Sequence, residues 1–536
     1  MDKKYDISLS GGTSTWEEIF NLAEADIQQA CLTSGTPGIA IGVLDRDGKV
    51  FDKYLGSRDV NQGLRPNADT VFNIGSMCKG FTALAITCLV TDGAIHWDDR
   101  VDTFLDELCH TNVGNSTIRD LLCHRTGLCR SDALFIGSNN DLLLSKTQGT
   151  ALLASLDISR PPRQEFIYNN FGYHAVGCVI EKVSGMGYGE FLANRILKPL
   201  NMTRTFTEQP PNMDQNVSRA YLAYHDLKLR EVPTPSISSD TVAFSAGGIR
   251  SCMRDLLVFY GSLLQAIATS TKIEALNVNA KELRAIFDAA IPLKVNKVLR
   301  EQSYGMGWGR TQLPNQVSEI TGNSGLLNTY PTIGDLANGP LLLHHAGNNI
   351  GCSSTVYLMP ELGTGIIVLG NSLGHCDATD WTAQILTQAF LSGKIDRPFS
   401  QFFTAAALQG RSAMERVRAT LERERQPSEP PGPLRKHRGC FWHKSNQFCV
   451  SILFESHGDL IMSLQNQNSE KYSLRHYEEH TFVFNESFDR IIERGQWCRP
   501  YWFYKIHFIL EDQEVVAIRW RIDDTQEDGE LFSKAR

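Results

Sequence analysis

No stretch of this 536-residue sequence approaches the roughly 18 consecutive apolar residues that a membrane-crossing helix needs. The opening MDKKYDISLSGGTSTWEEIF carries charge but no apolar run of the kind a secretory signal places before its cleavage site. Neither C-x-x-C nor H-E-x-x-H spacing occurs, which removes the commonest zinc patterns. A positive surplus is also missing: 52 Lys and Arg stand against 60 Asp and Glu, and the net charge of -8 repels phosphate backbones, excluding a general nucleic-acid binder. With 42% hydrophobic and 21% charged residues and no excess of Pro or Gly, wholesale disorder is excluded as well. The thirteen cysteines are odd in number, and Cys31, Cys88, Cys178 and Cys252 sit inside apolar runs, as reduced buried thiols do. A soluble, cytoplasmic protein with small-molecule or peptide partners is the expectation.

What is there begins with two strand-like runs, PGIAIGVLD and KVFDKYLG, joined through Arg46-Asp47-Gly48, which predicts a hairpin over 37–56. After Phe72 the period changes. Phe81, Leu84, Ala85, Cys88 and Leu89 recur at helical spacing from Gly80 to Asp92 and Gly93 ends the run, so Ser76 stands at the start of a helix. From about 100 to 265 the pattern predicts mostly helix, including Phe171 to Ser184. Strands return near 353–359 and 364–369 around the turn Pro360-Glu361-Leu362-Gly363. The Pro- and charge-rich QPSEPPGPLRKHR over 426–438 reads as a linker between a catalytic region, 1–425, and a tail, 439–536. Short runs in the tail (449–454, 460–464, 481–484, 503–510, 515–520) predict antiparallel sheet or barrel.

Ser76-Met77-Cys78-Lys79 is the one S-x-x-K of the chain, and i, i+3 spacing on a helix puts both side chains on one face. A serine hydroxyl becomes a nucleophile beside a neutral amine, which burial of Lys79 would supply. Tyr168-Asn169-Asn170 adds a phenol that can shuttle a proton to a leaving group and an amide able to hold Lys79 and substrate. Its structural reading is an anchor at Tyr168 and a helix N-cap at Asn170. His345-Ala346-Gly347, ahead of Asn348, offers a small residue beside which backbone N–H groups can meet an oxyanion, with His345 lining the same pocket. His344 and His345 together lack the further ligands a metal needs.

Ser76-x-x-Lys79, Tyr168-x-Asn170 and His345-x-Gly347, in that order, resemble the motifs of serine β-lactamases and penicillin-binding proteins, in the class C and esterase or transesterase branch. PGIAIGVL, TVFNIGSMCKG, LLCHRTGL, FSAGGIRSCMRDL and YGMGWG resemble the same family, over about residues 15 to 395. The resemblance implies an α+β fold, an antiparallel sheet flanked by helices plus an all-helical region, followed by a lipocalin-like β-barrel. It implies acylation of Ser76, Lys79 and Tyr168 as coupled bases, Asn170, His345, Gly347 and Asn348 as substrate-binding residues, an oxyanion between the N–H groups of Ser76 and Asn348, and no cofactor or metal. One departure stands out: β-lactamases begin the third motif with Lys, which attracts the substrate's carboxylate, whereas a neutral His345 attracts it far less.

An esterase or acyltransferase acting on an ester, thioester or amide of a small specialised metabolite is therefore the first expectation, with a small-molecule acyl donor and acceptor as partners, or an acyl carrier protein docked by a basic patch. A D-amino-acid-type peptidase, an amidase or a β-lactam hydrolase is the alternative, and a non-catalytic binding protein of the same fold the third. The two additional segments at 268–300 and 310–340 are expected to shape the acyl pocket. The tail aromatics Trp442, Trp497, Trp502 and Trp520 read as barrel core, and Cys78 as small-residue packing.

Overall fold

The computed structural model describes residues 15–211, 213–293, 300–335, 339–455 and 458–535. The opening residues 1–14, and parts of the two additional segments, lie outside them.

Helix α1 (Trp16–Ser34) starts at a Thr15–Glu18 capping box and stops at Gly35, whose φ of 78° a side chain would resist. Strands β1 (Gly38–Leu44) and β2 (Val50–Gly56) form the expected hairpin, with Gly48 in its turn at φ 75°. Helix α2 (Cys78–Thr91) follows, then α3 (Asn170–Ser184), ending at Gly185, and α4 (Met253–Thr269). β3 (Ile291–Pro292), β4 (Gln302–Tyr304), β5 (Gly309–Gln312), β6 (Leu341–Asn349), β7 (Cys352–Met359) and β8 (Thr364–Gly370) complete an antiparallel eight-stranded sheet in the order β2-β1-β8-β7-β6-β5-β4-β3. The chain's two ends of β structure thus meet where β1 pairs β8, Ile39 opposite Gly370 through Leu44 opposite Gly365.

The central strands β1 and β8 are buried on both faces, which is why they read as continuous apolar runs rather than alternating ones. One face (Ile41, Val43, Tyr357, Val368) packs on α1 and on α5 (Ala378–Ser392) through Phe20, Ile27 and Trp381. The other (Ala40, Leu44, Val356, Ile367) packs on α4 and α2 through Met253, Leu257 and Phe81. Helix α2 is buried from Cys78 to Leu89 on every side, so the helical stripe seen in sequence is the visible part of a fully enclosed helix.

The region expected to be mostly helix also carries strands. Two ribbons interrupt it: Val71–Asn73 pairs with Arg250–Cys252, and Ala220–Ala223 with Leu229–Val232. The first ties the segment just before Ser76 to the segment just after Ala246, which long-range pairing can do and no local period announces.

Eight strands after residue 438 close into an antiparallel barrel: β9 (Gly439–His443), β10 (Cys449–Phe454), β11 (Leu460–Leu464), β12 (Lys471–Glu478), β13 (Thr481–Val483), β14 (Lys505–Glu511), β15 (Glu514–Trp520) and β16 (Glu530–Lys534), with β16 returning to β9. Its interior is aromatic, with Phe441, Phe482, Phe508, Trp520 and Phe532 buried. Trp520 belongs to that core, as expected; Trp497 does not, and its place is described below.

Helix α2 is locked by Phe81, fully buried and stacked on Phe259 of α4 at 3.7 Å between centroids. Phe81→Ala is expected to destabilise the protein by about 3–5 kcal/mol, read as a lower denaturation midpoint in urea.

Candidate active site

Ser76 lies in the short turn Gly75–Met77 that runs into α2. Gly75 takes φ 48°, its N–H is accepted by the Asn73 side chain at 3.0 Å, and the Ser354 hydroxyl donates to the Ile74 carbonyl at 2.8 Å. The turn is therefore held from both sides. A Cβ on Gly75 would come 2.8 Å from the Asn348 nitrogen, and one on Gly347 would come 2.8 Å from the Ser76 nitrogen. The backbone nitrogens of Ser76 and Asn348 are thus neighbours across a gap only glycines permit, the arrangement an oxyanion needs.

Lys79 reaches Ser76 as the spacing predicts. Its Nζ lies 3.1 Å from Ser76 Oγ, 2.8 Å from Asn170 Oδ1 and 2.9 Å from the Ala246 carbonyl. Burial lowers its pKa to about 7, against a smaller opposite pull from Cys78 and Asp132. A neutral amine has two hydrogens and one lone pair. Ala246 offers only an acceptor. Asn170 does too, because its amide nitrogen donates to both carboxylate oxygens of Asp132, at 3.2 and 3.1 Å. The two hydrogens are spoken for, and the lone pair is left facing the Ser76 hydroxyl.

Tyr168 stands beside this pair, its ring centroid 4.7 Å from Lys79 Nζ and 4.3 Å from that of His124. Burial pushes its pKa well above the usual phenol value, with Ser76 acting as a hydrogen-bond partner in the opposite direction. The phenol is protonated at neutral pH. His345 is placed differently from the expectation. It lies within β6, and its side chain is not among those lining the cleft. Its Nδ1 must donate to the Ala346 carbonyl at 2.7 Å, so Nε2 accepts from Tyr304 at 2.9 Å, and burial lowers its pKa to about 3. Both ring nitrogens are engaged, and the ring stays neutral. His344 turns to the opposite face of the strand, against Thr311.

Asn170 is the first residue of α3; the N-cap is Asn169, extended at φ -140°, whose side chain accepts the Gly172 N–H at 2.9 Å. The Asn348 side chain points away from Ser76, beside Gly322 and Asp377.

The cleft has a volume of about 350 Å³. Ser76, Tyr168 and Asn170 open on it, with apolar walls at Phe135, Phe166 and Ile320. Of the two additional segments, 310–340 contributes Glu319, Ile320, Thr321 and Ser324, and 268–300 contributes nothing among the described residues. Among the lining groups that the sequence reading did not place here are Arg130, Asp132 and Trp497, the last read as barrel core. Asp132 is pushed up to about 6 by burial, which its Asn170 hydrogen bond opposes. Trp497 comes from the tail, so the barrel domain contributes directly to the cleft wall.

A model of the Beta-lactamase family matches residues 23–389. The chain belongs to the β-lactamase family. An unguisins hydrolase of Aspergillus campestris is 24% identical over 79% of this chain and 76% of its own length. Protein flp of Staphylococcus aureus is 28% identical over 38% of this chain and 41% of its own. Among solved structures, the octameric penicillin-binding protein homologue from Pyrococcus abyssi aligns over 95% of this chain and 99% of its own, with a TM-score of 0.57 and 21% identity. A class C β-lactamase from Rhodobacter sphaeroides aligns over 70% and 98%, with a TM-score of 0.54 and 19% identity. The β-lactamase fold with a terminal barrel, read from the motifs and the tail, is the fold observed.

Membership in a serine-hydrolase family gives the Lys79 environment a measurable consequence. Below its pKa the amine carries a proton and cannot take one from Ser76, so kcat/KM is expected to fall as pH drops through about 7. A pH–rate profile checks this; an acid limb near pH 10 would contradict it. Gly347→Ala would drive a methyl to 2.0 Å from the Ile74 carbonyl and displace the Ser76 turn. A kcat loss on the order of 10²-fold is expected in steady-state assays of the folded variant.

Proposed function

We propose that this β-lactamase-family enzyme hydrolyses an ester or amide of a small specialised metabolite through an acyl-enzyme on Ser76. The observation that carries the reading is the Lys79 amine, buried and 3.1 Å from Ser76 Oγ, with both hydrogens committed elsewhere. In this reading Lys79 takes the Ser76 proton as Oγ attacks the carbonyl. The oxyanion is met by the N–H groups of Ser76 and Asn348, and Tyr168, protonated at rest, passes its proton to the leaving group and is replenished from the Lys79 ammonium. Water then attacks the acyl-enzyme by the reverse route.

Hydrolysis is favoured over transfer because the relative sharing three quarters of its length with this chain is named as a hydrolase. A carboxylated β-lactam is disfavoured as the physiological substrate because His345 is neutral and has neither nitrogen free for a carboxylate. The apolar walls suit an uncharged acyl group.

Intact-mass measurement after brief exposure to activated esters, a thioester, D-amino acid amides and a β-lactam tests this. A single acyl adduct on the wild type, absent from Ser76→Ala, and faster turnover of esters or amides than of the β-lactam are expected. Lys79→Ala is expected to cost on the order of 10³-fold in kcat. Absence of any adduct or turnover from the folded wild type would sink the proposal, and adduct transfer to added alcohols in preference to water would move it to an acyltransferase.

A further inference from the structure

Ser131, immediately before Asp132, holds its backbone at φ 52°, ψ 24°, a left-handed conformation that residues with a Cβ seldom adopt without support. Its own side chain gives none: the hydroxyl is buried and makes no hydrogen bond. The support comes from the barrel domain. Asp523, in the connection after β15, accepts the Ser131 N–H at 2.6 Å through Oδ2. Asp523 is fixed in turn, its Oδ1 accepting the Thr525 N–H at 2.8 Å and the Thr525 hydroxyl at 2.5 Å. Thr525 Oγ1 accepts the N–H of Arg130 at 3.4 Å. Both residues leading into Asp132 are therefore gripped by one turn of the tail.

A continuous path of named hydrogen bonds leads from there to the nucleophile. Asp132 accepts from the Asn170 amide, Asn170 Oδ1 accepts from Lys79, and Lys79 Nζ meets Ser76. The polarity at each step depends on the one before, since the Asn170 amide can turn over if Asp132 leaves it.

We propose that Asp523 of the barrel domain is a positioning residue for catalysis: it stabilises left-handed Ser131, which sets the Asp132 carboxylate against Asn170 and thereby aims the Lys79 lone pair at Ser76. The proposal rests on the reading of Ser76 and Lys79 given above. The barrel is then part of the machinery that polarises the base, in addition to walling the cleft through Trp497. A carboxylate suits the task because a charge-assisted bond to a backbone N–H is roughly twice as strong as a neutral one.

The test compares full-length variants on an activated ester that acylates the wild type. Asp523→Ala is expected to lower kcat on the order of 10- to 100-fold with KM little changed, as a displaced base does. Adding Ser131→Gly to Asp523→Ala is expected to recover most of that loss, because glycine occupies φ 52° without support. Asp523→Ala combined with Asp132→Asn should cost no more than Asp132→Asn alone, since both act through one path. The groups whose charge bears most on Lys79 are Cys78 and Asp132. Displacing the Asp132 carboxylate removes a charge that favours the ammonium, so the acid limb of kcat/KM should move to lower pH in Asp523→Ala. Lys444→Ala breaks a different contact across the same boundary, the pair with Asp157 at 2.5 Å, and is expected to leave kcat unchanged.

Wild-type kcat in Asp523→Ala would overturn the proposal. So would a loss that Ser131→Gly fails to recover while Lys444→Ala shows it equally, because the barrel would then act only as a support. Failure of the wild type to form a Ser76 adduct is a different result and overturns the proposed function instead.

Discussion

A lysine amine buried among acceptors it cannot exchange is the constraint around which the rest of this molecule is arranged. Putting Lys79 in the interior costs the solvation of its charge, and the structure meets that cost by letting the amine go neutral rather than by pairing it with a carboxylate in contact. Neutrality alone would not make a base. The Ala246 carbonyl and the Asn170 oxygen take the two hydrogens, and the remaining lone pair has one direction left. Each acceptor arrives from a different part of the chain, Ala246 from the segment tied down by the Val71–Asn73 ribbon and Asn170 from the start of α3.

The same logic explains why the cleft walls are irregular segments held by rigid neighbours. The loop 318–324 has little regular structure, yet Asp380 accepts from Ser318, Thr321 and Asn323, and Asp377 from Gly322, so the loop is nailed to the start of α5. On the other side, the stretch from Arg130 to Asn139 is held by the barrel through Asp523, Glu470 and the carbonyls of Arg494 and Gly495. Irregular backbone can approach a substrate from angles that a helix or strand cannot, provided its polar groups are satisfied elsewhere. Here the elsewhere is a buried carboxylate network on one side and a second domain on the other.

Much of the site was legible because its chemistry is local. Ser76 and Lys79 sit one helical turn apart, so spacing alone brings them together. The hairpin strands and five barrel strands matched short apolar runs bounded by turn residues. Reading failed where identity and place separate. His345 has the composition of a pocket residue, but its ring is consumed by Ala346 and Tyr304. Asn170 looks like a cap, while the capping conformation belongs to Asn169. β9, β12 and β16 were missed: in β12 the exposed Ser473 and Arg475 alternate with buried Tyr472, Leu474 and Tyr477, and in β16 the charged Glu530 is buried while Leu531 faces out.

Asp132 carried no signal at all, being one acid among 60 acidic residues. Its place in the site comes from contacts 38 residues ahead in sequence at Asn170 and 392 away between Ser131 and Asp523. The sequence by itself determined that Ser76 and Lys79 stand side by side, the family and the order of the two folded regions, because periodicity and motif spacing are properties of neighbouring residues. Only the tertiary structure decided which hydrogens the amine keeps, that Trp497 faces the cleft rather than the barrel core, and that a left-handed serine rests on the second domain. Those depend on burial and on directional bonds between residues that chain proximity never brings together.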